Sequence, residues 1–116
     1  MSPRLYLPGT LQRLVLLRSE GRIDLAGALE APDDSEEGEY AALMEAADAS
    51  AGLVAGLEDG RRRRVVVVVE ADPDARLASL QQVVAVHVDT TDDADPEDDL
   101  AWFATQEIEA LLPPGI

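Results

Sequence analysis

The 116-residue chain carries 24 acidic residues against nine arginines and no lysine, a formal charge of −15, with 47% apolar residues, 3% aromatic residues and no cysteine. One core is enough to stabilise a chain of this length without staples, and the lack of cysteine excludes disulfides, thiolate metal sites and a thiol nucleophile. The first residues lack a long apolar h-region and no window approaches roughly 18 uninterrupted apolar residues, so neither a signal peptide nor a membrane span is expected, and the expected address is the cytoplasm.

In chain order, Arg4 to Leu7 reads as a strand closed by a Pro8-Gly9 turn. Thr10 then caps a helix to about Ser19, with Leu11, Leu14 and Val15 at helical spacing and Gly21 as its stop. Arg22 to Ala31 is either a short strand or an irregular connection, ended by Pro32. Ser35, followed by Glu36, Glu37 and Glu39, opens a long helix to Glu58, with Tyr40, Leu43, Met44, Ala47, Ala51, Val54 and Leu57 as its stripe and Gly60 as its stop. Arg61 to Arg64 lead into Val65 to Val69, five β-branched residues that demand burial on both faces and mark the central strand. A turn at Asp72-Pro73-Asp74 precedes a second interior strand, Val83 to Val88. Asp95-Pro96 opens a last helix whose face is Leu100, Phe103, Ala104, Ile108, Leu111 and Leu112, ending at Pro113-Pro114. The pattern predicts an α+β fold: one two-layer domain over residues 1–116, with a small mixed sheet of three to five strands and about three helices.

The acidity is concentrated in two runs, residues 33–39 and 89–99, which hold twelve of the carboxylates. Both lie at expected helix N-termini, where the dipole favours them and where they keep the chain soluble; a basic partner is the sharper reading. Asp93, Asp95 and Glu97 match the first three ligand spacings of a calcium loop, but the required glycine is Asp98 and the bidentate acid is Ala104, so no metal site is expected. Arg61 to Arg64 are expected to pair with the acidic runs; against a charge of −15 and without interleaved aromatics they do not predict a nucleic-acid partner.

His87, the single histidine, shares a strand face with Asp89, an arrangement that suits a base and its orienting acid, yet no nucleophile elbow accompanies it. Trp102 falls off the stripe of the expected last helix, with Gln106 beside it, and so invites a partner. No phosphate loop occurs; Pro8-Gly9-Thr10 offers only a helix N-terminus, and no cofactor is expected.

Arg4 to Thr10, Glu39 to Leu43, Arg62 to Val67, Val84 to Asp89 and Leu100 to Ile108 together resemble a family of uncharacterised proteins from high-GC Gram-positive bacteria. The most specific parts are the Trp-aromatic-Ala-Thr-Gln-Glu-Ile run from Trp102 and the Val-His-Val-Asp run ending at Asp89. The resemblance implies no activity. It singles out His87, Asp89, Trp102, Gln106 and Glu107, which the last helix would bring together, with Tyr40 and Glu39 joining them as a binding site or a buried hydrogen-bond network. The leading functional reading is a non-enzymatic interaction or regulatory domain that meets an unidentified protein partner through the Trp102 face or the acidic loop. The alternatives are a small enzyme or metal-dependent hydrolase centred on His87, Asp89 and Glu107, and a small-molecule or nucleotide sensor at Pro8-Gly9-Thr10. Homodimerisation through Trp102 is compatible with each.

Overall fold

In the computed structural model, which describes residues 3–57 and 62–112, the valine run lies where two-sided burial requires it. Strand β4 (Val65–Glu70) is the middle of a five-stranded sheet, and all five of its valines are buried. Each fully buried valine contributes about 1.5–3 kcal/mol of transfer free energy. Strands β1 (Arg4–Gly9) and β6 (Val83–Val88) flank β4, while β3 (Leu29–Glu30) and β7 (Ala101–Phe103) form the edges. Every pairing is antiparallel, where a mixed sheet was expected. Strands β2 (Arg22–Asp24) and β5 (Leu77–Ser79) form a separate pair, so the ambiguous segment after Gly21 contributes a short strand to each of two sheets.

The class is α+β, but the sheet is covered on both faces, giving three layers rather than two. Leu5, Leu7, Val65, Val67, Val69, Val86 and Val88 share one core with Leu11, Leu14 and Leu17 of α1 (Leu11–Glu20) and Ile108 of α3 (Ile108–Leu111). Tyr6, Val66, Val68 and Ala85, on the alternate positions, pack against Ala42, Ala46 and Ala47 of α2 (Glu36–Ala55). Thr10 and Ser35 cap α1 and α2 as expected, accepting from the N–H groups of Arg13 and Gly38, and Gly21 ends α1 at φ 72°. The buried stripe of α2 is Ala42, Ala46, Ala47, Ser50 and Val54, so Tyr40, expected within it, is exposed at its margin with Leu43 and Met44 half-buried. The alanines of α2 fit more than one stripe, which is why periodicity alone misplaced it. The expected helix stop at Gly60, Arg61 and the Pro113-Pro114 end lie outside the described residues.

Two further expectations are corrected. Pro8 and Gly9 do not turn; they extend β1 opposite Val66 and Val65. Because β3 pairs only with Leu5 and Tyr6, the N–H that Pro8 lacks would have met no strand. The last helix is also absent from residues 95–107, which form a loop, the strand β7 and a single 3-10 turn, leaving only α3 helical. The Asp95 carboxylate accepts from the N–H of Glu97, as the cap of a helix start would, but the turn is not continued into a helix. The Arg64 guanidinium takes the carbonyls of Asp95, Pro96 and Asp98, which a helix would have used itself. Among the described residues no helix is long and apolar enough to cross a membrane.

Candidate functional site

His87 on β6 pairs with Trp102 on β7, and opposite residues of an antiparallel pair project to the same face about 5 Å apart. That face is the one covered by α2, since Val66, the partner of His87 on β4, belongs to the α2 core. Helix α2 packs chiefly over β1 and β4, so the face is uncovered at β7 and Trp102 is 60% exposed. Tyr40, near the start of α2, is 55% exposed. Tyr40, Leu43 and Met44 from α2 face Trp102, Leu100 and Asp99 across an open groove of about 300 Å³ that His87 also lines. Burial lowers the His87 pKa below the ordinary histidine value, which keeps the imidazole neutral near pH 7. A contacting carboxylate would act in the opposite direction, raising it.

The sheet ends at this groove. Across β4 and β6 the N–H of Asp89 donates to the carbonyl of Arg64. Backbone groups alternate sides along a strand, so His87 also faces β4, while Val86 and Val88 face β7. Phe103 and Ala101 are their partners. The N–H and C=O of Trp102 therefore point out of the sheet, where the strand order ends.

The loop before β7 is held by a buried ion pair. Asp89 Oδ1 accepts from Arg64 Nη2 at 2.8 Å, and Oδ2 accepts from Arg64 Nε at 2.9 Å and from the Arg64 backbone N–H at 2.8 Å. The two side chains are 4% and 2% exposed. These hydrogen bonds raise the Arg64 pKa still further. Arg63 and Arg62 pair with Asp92 and Asp93 at 3.1 and 4.0 Å, so the arginine run does meet the second acidic run.

The structure therefore brings together His87, Trp102 and Tyr40, by strand register instead of the expected helix. It does not assemble His87, Asp89 and Glu107. Asp89 shares the His87 face, but its carboxylate is committed to Arg64. Glu107 Oε1 accepts from the N–H of Ala104, closing its own turn, and exposed Gln106 lies in that turn. Thr105 ties the turn to the Val83 carbonyl, four residues along β6 from His87, or about 13 Å. Glu39 lies away from the groove, in an ion pair with Arg4 at 3.6 Å. Asp93, Asp95 and Glu97 do not gather, and among the described residues no group of three potential ligands does. At the expected sensor turn, the Gly9 carbonyl accepts from Ser50 Oγ and Thr10 caps its own helix.

Sequence reasoning missed the role of Arg64, read with its neighbours as a charged lead-in to the central strand that pairs with the acidic runs, and did not single out Ser50 within the long helix. The strand alternation from Val66 and Val68 back to Arg64 was the available signal for the first. A larger depression of about 700 Å³ lies at the opposite end of the sheet, lined by Arg4 and by the acids Glu30, Asp33, Asp34, Glu39 and Glu70. It has no aromatic side chain in its wall.

Residues 3–112 match the model of a family of unknown function (DUF6912). No curated protein and no solved structure matches the chain.

Proposed function

We propose that this chain, which belongs to that family of unknown function, is a non-enzymatic cytoplasmic interaction domain that docks a partner protein at the Trp102 end of its sheet. The observation that carries the reading is the convergence of Tyr40 and Trp102, from separate elements, on one groove. Large aromatics left exposed in pairs around an apolar depression are the usual anchors of protein interfaces, giving much contact area for little conformational entropy. The neutral, half-buried His87 and the side chains of Leu43, Met44 and Leu100 extend the same wall. The hydrolase alternative would need Asp89 or Glu107 beside His87, and both carboxylates are engaged elsewhere.

The test replaces Tyr40 with a photo-crosslinking phenylalanine in the producing organism, with the same replacement at Leu77, an exposed residue of β5, as control. Adducts to one protein from position 40 that are missing from position 77, and that vanish when Trp102→Ala is added, are the expected result. Equal adducts from both positions, or adducts unaffected by Trp102→Ala, would refute the docking reading.

A further inference from the structure

We infer that β7 accepts an extended, basic segment of a partner protein as an added antiparallel strand, a refinement that rests on the docking reading above. Three independent features of the Trp102 end support it. The first is the open edge: β7 has a neighbour only on its β6 side, and the Trp102 N–H and C=O point outward, so the backbone offers one donor and one acceptor at the site where a further strand would lie. The second is the Trp102 side chain, which stands on the α2 face with most of its surface free; the residue opposite it on an added strand would pack on the indole, whether aliphatic or an arginine stacked over the ring.

The third is charge. Asp89, Asp92 and Asp93 are matched by Arg64, Arg63 and Arg62. Asp95, Glu97, Asp98 and Asp99 are exposed and, among the described residues, in no ion pair, and they run directly into β7. At the other end of β7, Glu107 is used by its own turn and Glu109 pairs with Arg18 at 3.4 Å. Glu107 keeps its charge, so among the described residues four unpaired carboxylates stand at the N-terminal end of β7 against one at the other end, and the excess negative charge sits at the N-terminal end. An antiparallel strand lays its C-terminal half against that end, so its basic residues should follow, in sequence, the residue that meets Trp102.

A second copy of the chain is the competing occupant. Pairing β7 with β7 about a two-fold axis would set the acidic loop of each chain beside the Glu107 turn of the other, between two bodies of charge −15 each. Like charges so juxtaposed cost several kcal/mol, so the same acids that attract a basic segment disfavour self-pairing.

Trp102 is the single tryptophan, so its emission reports on the site directly. The test titrates the intact chain with three capped peptides: Thr-Val-Thr-Val-Arg-Arg-Arg, its reversed sequence Arg-Arg-Arg-Val-Thr-Val-Thr, and Thr-Val-Thr-Val-Glu-Glu-Glu. The first peptide should shift Trp102 emission, slow hydrogen exchange of the Trp102 amide, bind about tenfold more tightly than the reversed peptide, and weaken as salt rises. Equal binding of the forward and reversed peptides, binding by the glutamate peptide, or binding without protection of the Trp102 amide would each overturn strand addition. So would a concentration-dependent dimer of the chain alone that protects that amide. If no peptide binds but crosslinks from position 40 persist, strand addition falls and the docking reading stands; if the crosslinks are missing too, both fall.

Discussion

Removing the Asp89 carboxylate tests how the site is held. Asp89→Ala takes three hydrogen bonds from Arg64 and leaves a guanidinium only 4% exposed with carbonyl oxygens as its remaining partners. Breaking a buried pair from one side costs about 3–5 kcal/mol, a large share of the roughly 5–15 kcal/mol that stabilises a domain. Urea unfolding followed by circular dichroism should show that loss. Asp89→Asn, which keeps the shape and one carbonyl oxygen, should lose less, about 1.5–3 kcal/mol for one charged hydrogen bond. The double variant Arg64→Met with Asp89→Leu removes both charges and should recover more than half of what Asp89→Ala loses, because no unpaired ion stays buried. In contrast to the exposed Arg63–Asp92 pair, the effect should barely depend on salt. A loss below about 1 kcal/mol for Asp89→Ala, or a double variant no better than it, would refute the claim that a buried charge pair organises this end of the sheet.

Ser50→Ala should cost about 1–3 kcal/mol in the same assay, because the Ser50 hydroxyl donates to the Gly9 carbonyl at 2.7 Å and accepts from the Val65 N–H at 2.8 Å, and both groups are buried. Trp102→Ala, which removes a side chain mostly in water, should change stability by less than about 1 kcal/mol while abolishing the crosslink from position 40; a larger loss would make Trp102 a core residue. His87→Gln tests burial of the imidazole through pH. Since burial depresses the folded pKa, the unfolded chain binds more protons between the two values, so the His87 contribution is complete above its unfolded pKa and is lost progressively as pH falls from there through the folded value. The variant should therefore lose less stability than the wild type between about pH 7 and pH 5.5, and equal losses would show that His87 is not held neutral by the fold.

Elements whose residues carry one dominant preference were legible in the sequence. Five consecutive valines have no other place than a middle strand, and Thr10, Gly21 and Ser35 each cap as their side chains or conformation require. Reading failed where a distant group decides between two local outcomes. Residues 95–107 have helical spacing and a helical start, but the Arg64 guanidinium holds the loop carbonyls and β6 offers an edge to Ala101–Phe103. Pro8 would normally close a strand, and it continues one here because β3 is too short to reach it. At the site, Trp102 was singled out for standing off a helix stripe that does not exist, yet the side chain is exposed and beside His87 and Tyr40. Strand register could not be read from the sequence, and register is what places Trp102 opposite His87.

The two edges of the sheet show why the charge layout belongs to the same argument as the groove. An open edge is a hazard, since any extended chain can pair with it. At β3 the hazard is limited by length, because the strand spans two residues. β7 is hardly longer, but it carries an exposed tryptophan, the residue type that most rewards an adventitious contact. Acids packed against its N-terminal end act on neutral and charged visitors differently: they repel copies of this acidic chain and leave basic segments favoured. The buried Arg64–Asp89 pair fixes that loop while leaving its exposed carboxylates without an ion-pair contact, because Arg64 forms its ion pair with Asp89 and hydrogen-bonds the loop through backbone carbonyls. A rigid acidic rim beside an open aromatic edge follows from that division of partners, and loosening it through Asp89→Ala should weaken the binding of the basic peptide even where the chain remains folded.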